Sequence, residues 1–113
     1  MSYESRSLRH KITFQQLTVA NDTWGHSAEI WTDEATTHAA IWTLRGVERI
    51  ESMKLDNEIT HKIRVRYKRG LHPKMRIKYF DHKEAATRYF NILSMVDPDE
   101  RHIYYEIMAN EEV

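Results

Sequence analysis

The feature that most constrains this chain is an alternation running from Ile59 to Lys68. Ile59, His61, Ile63, Val65 and Tyr67 fall on one parity, and Thr60, Lys62, Arg64, Arg66 and Lys68 on the other. A period of two sends successive side chains to opposite sides of an extended backbone, so this stretch predicts a half-buried strand with a cationic outer side.

The same period recurs through most of the sequence. Ile12, Phe14 and Gln16 alternate with Lys11, Thr13 and Gln15 in a first strand ending near Val19, after which Asn21-Asp22-Thr23-Trp24-Gly25 supplies turn residues. Glu29 to Asp33 can return as its partner, and His38 to Leu44 is a further stretch of small and β-favouring residues. Lys68-Arg69-Gly70-Leu71-His72-Pro73 turns the chain into a strand with Met75, Ile77 and Tyr79 on one side, and Asp81-His82-Lys83-Glu84 turns it again. Two more apolar-rich runs, Tyr89 to Val96 and His102 to Met108, flank Asp97-Pro98-Asp99-Glu100-Arg101, where proline presets φ and acidic side chains can bond their own backbone. The prediction is an all-β, mainly antiparallel fold: a small barrel or sandwich of about six or seven strands. One segment departs from the pattern. From Gly46 to Leu55 the apolar residues Val47, Ile50 and Met53 recur at every third position among charges, which suits a short amphipathic helix or a flexible excursion.

Size and composition narrow the function. A chain of 113 residues predicts one domain, here 1–113 with 1–7 and 109–113 read as flexible tails. Without cysteine there is no disulfide framework, thiolate metal site or cysteine nucleophile. Gly25, Gly46 and Gly70 lie too far apart for a phosphate-cradling loop. The polar start lacks a secretory hydrophobic stretch, which predicts a soluble, unexported protein with no membrane partner.

Candidate chemistry is sparse. Seven scattered histidines form no short-range metal-ligand pair, so neither a metal nor another cofactor is expected. Asp97, Asp99, Glu100 and His102 can be drawn as a hydrolytic constellation, but turn formation accounts for them better, and no serine motif marks a nucleophile. No enzymatic activity is predicted. Charge placement says more. Lys62, Arg64, Arg66, Lys68, Arg69, Lys74, Arg76 and Lys78 stand between Ile59 and Phe80 without an acid. If two strands align, Lys62, Arg64, Arg66, Lys68, Arg76 and Lys78 form a basic face. Such a face serves contact between subunits, with solvent, or with DNA. Trp31 and Trp42 sit in strand patterns and are expected in the core, whereas Trp24, in a turn, is placed to meet a partner.

The order of segments resembles the head-tail joining proteins of tailed bacteriophages, also called head-completion, head-closure or stopper proteins. The likeness rests on Leu8-Arg9-His10-Lys11-Ile12-Thr13-Phe14-Gln15, on Trp24-Gly25 followed by Trp31, and on Ala39 to Leu44 and Gly46-Val47-Glu48. Ile59 to Tyr67, Pro73-Lys74-Met75-Arg76-Ile77 and Asp97-Pro98-Asp99-Glu100-Arg101 complete it over roughly residues 8 to 108. One departure is Asp81 to Arg88, where family members place more glycine.

The resemblance implies a structural virion protein at the head-tail interface, present in the host cytoplasm during assembly. It implies a homo-oligomeric ring of about twelve copies below the portal or adaptor protein, retaining packaged double-stranded DNA in the channel and offering a docking surface to a tail protein. It also implies that the excursion acts as a channel gate, here Arg45, Gly46, Val47, Glu48, Arg49, Ile50, Glu51, Met53, Lys54, Leu55 and Glu58. The competing reading is a nucleic-acid-binding β-barrel with its groove along Lys62 to Lys78.

Overall fold

The computed structural model describes residues 8–46 and 58–112. Its period-two segments become six strands: β1 (His10–Asn21), β2 (Ser27–Thr43), β3 (His61–Arg66), β4 (Arg76–Asp81), β5 (Ala86–Val96) and β6 (Tyr104–Glu111). They close into an antiparallel barrel in the order β1-β2-β3-β6-β5-β4, with β4 returning to β1. The all-β expectation holds, and closure leaves no open sheet edge around the waist.

Alternation decides what fills the barrel. Ile12 and Phe14 of β1, Ala39 of β2, Ile63 and Val65 of β3, Ile77 of β4, Phe90 of β5 and Ile107 and Ala109 of β6 all point inward and lie in one apolar cluster. His61 also points inward, with its ring edge against Phe90 at 4.9 Å between centroids. Each fully buried aliphatic or aromatic side chain contributes about 1.5–3 kcal/mol over leaving it in water, which makes this cluster the main stabilising element.

Several boundaries differ from the sequence reading, each for a local reason. Glu29 to Asp33 and His38 to Leu44 are not two strands but parts of one 17-residue strand, β2. The register with β1 skips Glu34, since Phe14 faces Ala35 while Gln15 faces Asp33. Such a bulge inverts the side-chain parity, so the two halves of one strand read as two patterns. At the other end of the chain, Ala109 to Glu112 do not fray as expected. Ala109 is fully buried, its carbonyl accepts from the Thr60 amide at 3.0 Å, and the Glu112 amide donates to Tyr89 at 2.8 Å. Val47 to Asn57, where the helical periodicity lies, are outside the described residues, as are 1–7 and 113.

The loops separate two unlike ends. One mouth gathers the start of β1, the end of β2, the start of β3, the β4–β5 turn and the end of β6. At the other, the 67–75 connection crosses from β3 to β4, burying Leu71 and Met75 as an apolar plug. The β4–β5 turn is closed by Asp81, whose Oδ1 accepts from the amides of Lys83 at 3.1 Å and Glu84 at 3.4 Å. Ala85 there has φ 50, the conformation that glycine adopts without cost.

Two substitutions check this account by urea or thermal unfolding. Phe90→Ala empties the centre of the cluster and lowers stability by about 3–5 kcal/mol. Ala85→Gly relieves the left-handed backbone against some gain in unfolded-chain entropy, so stability stays level or rises by up to about 1 kcal/mol.

Candidate functional site

Barrel closure sets where the basic residues stand. β3 lies between β2 and β6, and β4 lies between β1 and β5, on the opposite wall. Lys62 and Arg64 are therefore on one side of the barrel and Arg76 and Lys78 on the other, and the single stripe expected from sequence does not form. Arg66 and Lys68 stand apart from both groups, toward the plugged end, and are exposed.

Most of these cations are also engaged within the chain. Lys62 Nζ lies 2.6 Å from Glu106 Oε1, which Arg64 approaches at 3.7 Å. On the opposite wall Lys78 pairs with Asp33 at 3.1 Å and Arg76 with Glu112 at 3.6 Å, while Gln15 Oε1 accepts from Arg76 Nε at 2.8 Å. The Lys62 ammonium, bonded to Glu106, holds that carboxyl below its ordinary range. Gln15 and Lys78 do the same for Asp33.

The tryptophans join these clusters and leave the core expectation behind. The Arg76 guanidinium is 4.5 Å from the Trp31 ring centre and 4.1 Å from that of Tyr89. Arg64 repeats the device on the other wall, 5.5 Å from Trp42 and 4.7 Å from Tyr104. An arginine between aromatic faces keeps its charge while shedding water, so each cluster covers its wall without presenting a bare cation. Parity within the strand could have located both rings. Trp31 shares a face with Glu29 and Asp33, and Trp42 opposes the inward Ala39 and Ile41.

The open mouth carries the excursion and is polar. Arg88 donates from Nε and Nη2 to both oxygens of Glu111, at 2.9 and 2.8 Å, and reaches Asp81 at 3.4 Å. Tyr79 and His10 meet beside it at 3.0 Å. Burial, reinforced by Arg9, keeps the His10 imidazolium disfavoured, and the bonds from Arg88 hold Glu111 below the ordinary glutamate range. A depression of about 430 Å³ opens here, lined by His10, Ile41, Thr43, His61, Tyr79 and Arg88 among others.

The residues that flank the expected gate are on this rim. Its feet are described: the Leu44 amide donates to Thr60 O at 2.9 Å, and Asn110 Nδ2 donates to Glu58 O at 2.8 Å. Arg45 and Gly46 leave the rim exposed, with Gly46 at φ 57. Val47, Glu48, Arg49, Ile50, Glu51, Met53, Lys54 and Leu55 lie outside the described residues. The hydrogen bond between Leu44 and Thr60 ties the two described ends that flank residues 47–57 to the barrel itself.

Asp97, Asp99, Glu100 and His102 form a turn. Asp97 Oδ1 accepts from the His102 amide at 3.0 Å, and its Oδ2 meets His102 Nδ1. Asp99 and Glu100 take left-handed backbone conformations and face solvent, so this carboxylate group is spent on loop geometry. Among the described residues no group of three or more His, Asp or Glu side chains is placed to hold a metal ion, and no helix is long and apolar enough to cross a membrane.

Comparison with known proteins agrees with this geometry. Residues 3–112 match the family described as phage head completion protein. The fold is similar to the solution structure of protein SF1141 from Shigella flexneri 2a, with TM-score 0.73, 30% identity and 94% of each chain covered. No protein of curated function matches.

The paired carboxylates make acid stability predictable. Glu106 and Glu111 titrate lower in the fold than in the unfolded chain, so their contribution is complete above about pH 4.5 and disappears as the pH falls through and below that value. Urea midpoints measured at pH 7 and pH 3 should differ less for Glu111→Gln than for the wild type, with the variant the less stable of the two at pH 7.

Proposed function

Because the chain belongs to the phage head completion protein family, we propose that it closes the filled head as a ring of identical subunits. Membership carries a structural role at the phage head, a place in the virion, and contacts with other head or tail proteins. The ring sits below the portal or its adaptor, retains packaged DNA and presents an outer surface on which a tail protein docks. The role requires no catalysis. The family match across residues 3–112 carries this reading.

Two features of the chain support it. A closed barrel with a dry interior is a rigid unit that can be repeated around an axis without rearranging. The chain leaves and re-enters the barrel beside the Leu44–Thr60 hydrogen bond, so a channel gate carried between those two points would not have to open the barrel in order to act. The basic residues favour this over nucleic-acid reading, because neutralised, ring-stacked cations on opposite walls do not make a continuous track for a phosphate backbone.

Replacing residues 46–57 by a short Gly-Ser connector tests the gate. The shortened chain should fold with the strand signature of the wild type and enter particles, and those heads should package DNA and then lose it. Heads that retain their genome and join tails as the wild type does would remove the gating role. Particles assembled without any copy of the chain would remove the virion role itself.

A further inference from the structure

The barrel uses only part of its two longest strands. β1 pairs with β4 from Ile12 to Gln15 and no further, and β2 pairs with β3 only from Ala39 to Thr43. Beyond those points Gln16–Asn21 and Ser27–Thr32 pair with each other alone. Six residues at about 3.3 Å each make a two-stranded ribbon about 20 Å long. The molecule accordingly measures 53 × 33 × 31 Å.

A lone ribbon is marginal in water, yet this one is built to hold its shape. Asp22 Oδ1 accepts from the amides of Trp24 at 2.9 Å and His26 at 2.7 Å, and Gly25 turns with φ 81. The tip thereby presents Trp24 at 84% exposure, with Val19 at 65% and Ile30 at 44% along the ribbon. Large apolar groups on a narrow element without a second layer mark a contact surface.

Charge identifies what the ribbon meets. Between Lys11 and Arg45 the chain contains no lysine or arginine, while Asp22, Glu29, Asp33 and Glu34 lie on or at the base of the ribbon. At the plugged end of the barrel, Arg66, Lys68, Arg69, Lys74 and Arg101 are exposed, and among the described residues none makes an ion pair; the same loops carry Asp97, Asp99 and Glu100, so their surface is net cationic, with the charge concentrated in residues 66–74. The loops carrying them form one surface, because the Tyr67 amide donates to Ile103 at 3.0 Å and the Tyr67 ring stacks on His102 at 4.6 Å.

The geometry points to the β1–β2 ribbon as an arm that docks on the 66–74 and 97–103 loops of a second copy of this chain. The acidic arm and the basic loops are different patches on each subunit, so the contact is head-to-tail, the kind that closes rings. An arm with several acids and neither lysine nor arginine is repelled by DNA, which argues against the channel's contents as its occupant. The inference deepens the ring reading above and rests on it.

Photo-crosslinking tests it with the full chain carrying Trp24→p-benzoylphenylalanine, in purified particles and at high concentration in solution. Linked peptides should join position 24 of one copy to residues 66–74 or 97–103 of another. Charge reversal by E29K with E34K should cut the yield about tenfold, and adding K68E with K74E to the same chain should restore it. Links to a different protein, to DNA or to the barrel wall, or a yield indifferent to charge reversal, overturn the arm contact while leaving the virion role intact. Particles that lack the chain altogether count against the ring reading, and the arm contact falls with it.

Discussion

Four cross-strand pairs, from Ile12 with Tyr79 to Gln15 with Arg76, close the ring of strands, and the rest of the architecture depends on them. Without that seam β1 and β4 would be open edges and the apolar faces of Phe14 and Ile77 would meet water. Closure at this point also has a geometric cost in partners. Once β4 stops accompanying β1 at Gln15, the remainder of β1 has only β2, and both continue together outside the barrel. The rigid body and the projecting ribbon are consequences of one choice of register.

The same seam divides the charge. Placing β4 against β1 forces β3 to the far wall, so a sequence with eight bases and no acid between Ile59 and Phe80 does not produce a cationic band. Acids from elsewhere in the chain, Asp33, Glu106 and Glu112, come alongside, and Trp31, Trp42, Tyr89 and Tyr104 cover the guanidinium planes. What stays unpaired is displaced to the loops at the plugged end, next to the base of the acidic ribbon. A chain with equal numbers of acidic and basic residues therefore sets an acidic ribbon beside net cationic loops, two unlike patches that suit association between copies.

The sequence conveys strand identity well because burial on one face writes itself directly into alternate residues, as from His61 to Val65. It conveys partnership poorly. The bulge at Glu34 reversed parity inside β2, so one long strand looked like two, and a rule that reads faces without registers had no means of joining them. The place of Trp31 and Trp42 in strand patterns suggests the core, although the charged neighbours of Trp31 two positions away, Glu29 and Asp33, put it outside. The basic face failed for a different reason: whether two strands adjacent in sequence are adjacent in space is a property of the closed ring, and no local pattern encodes it. The ribbon is legible as a hairpin, from the turn at Asn21 to Gly25 and the return at Glu29 to Asp33, but not as a projection, since its length beyond the barrel depends on where β3 and β4 cease to pair.

The proposed role, a ring subunit that stays in place while a gate works, would need its fixed and changing parts to be energetically separate. Here the separation is made by the rim. The Arg88–Glu111 pair and the Leu44–Thr60 hydrogen bond tie the barrel's open mouth above the apolar cluster, and the exposed Gly46 and Glu58 lie outside that tie. At the opposite end Leu71 and Met75 seal the core from the loops that carry the free cations. Local changes at either end then cost little of the folding free energy, because neither end exposes the cluster formed by Phe14, Ile63, Ile77 and Phe90. The ribbon and the points where residues 46 and 58 leave the barrel lie at opposite ends of the molecule, so in the proposed ring contacts at one would not have to be made at the expense of the other.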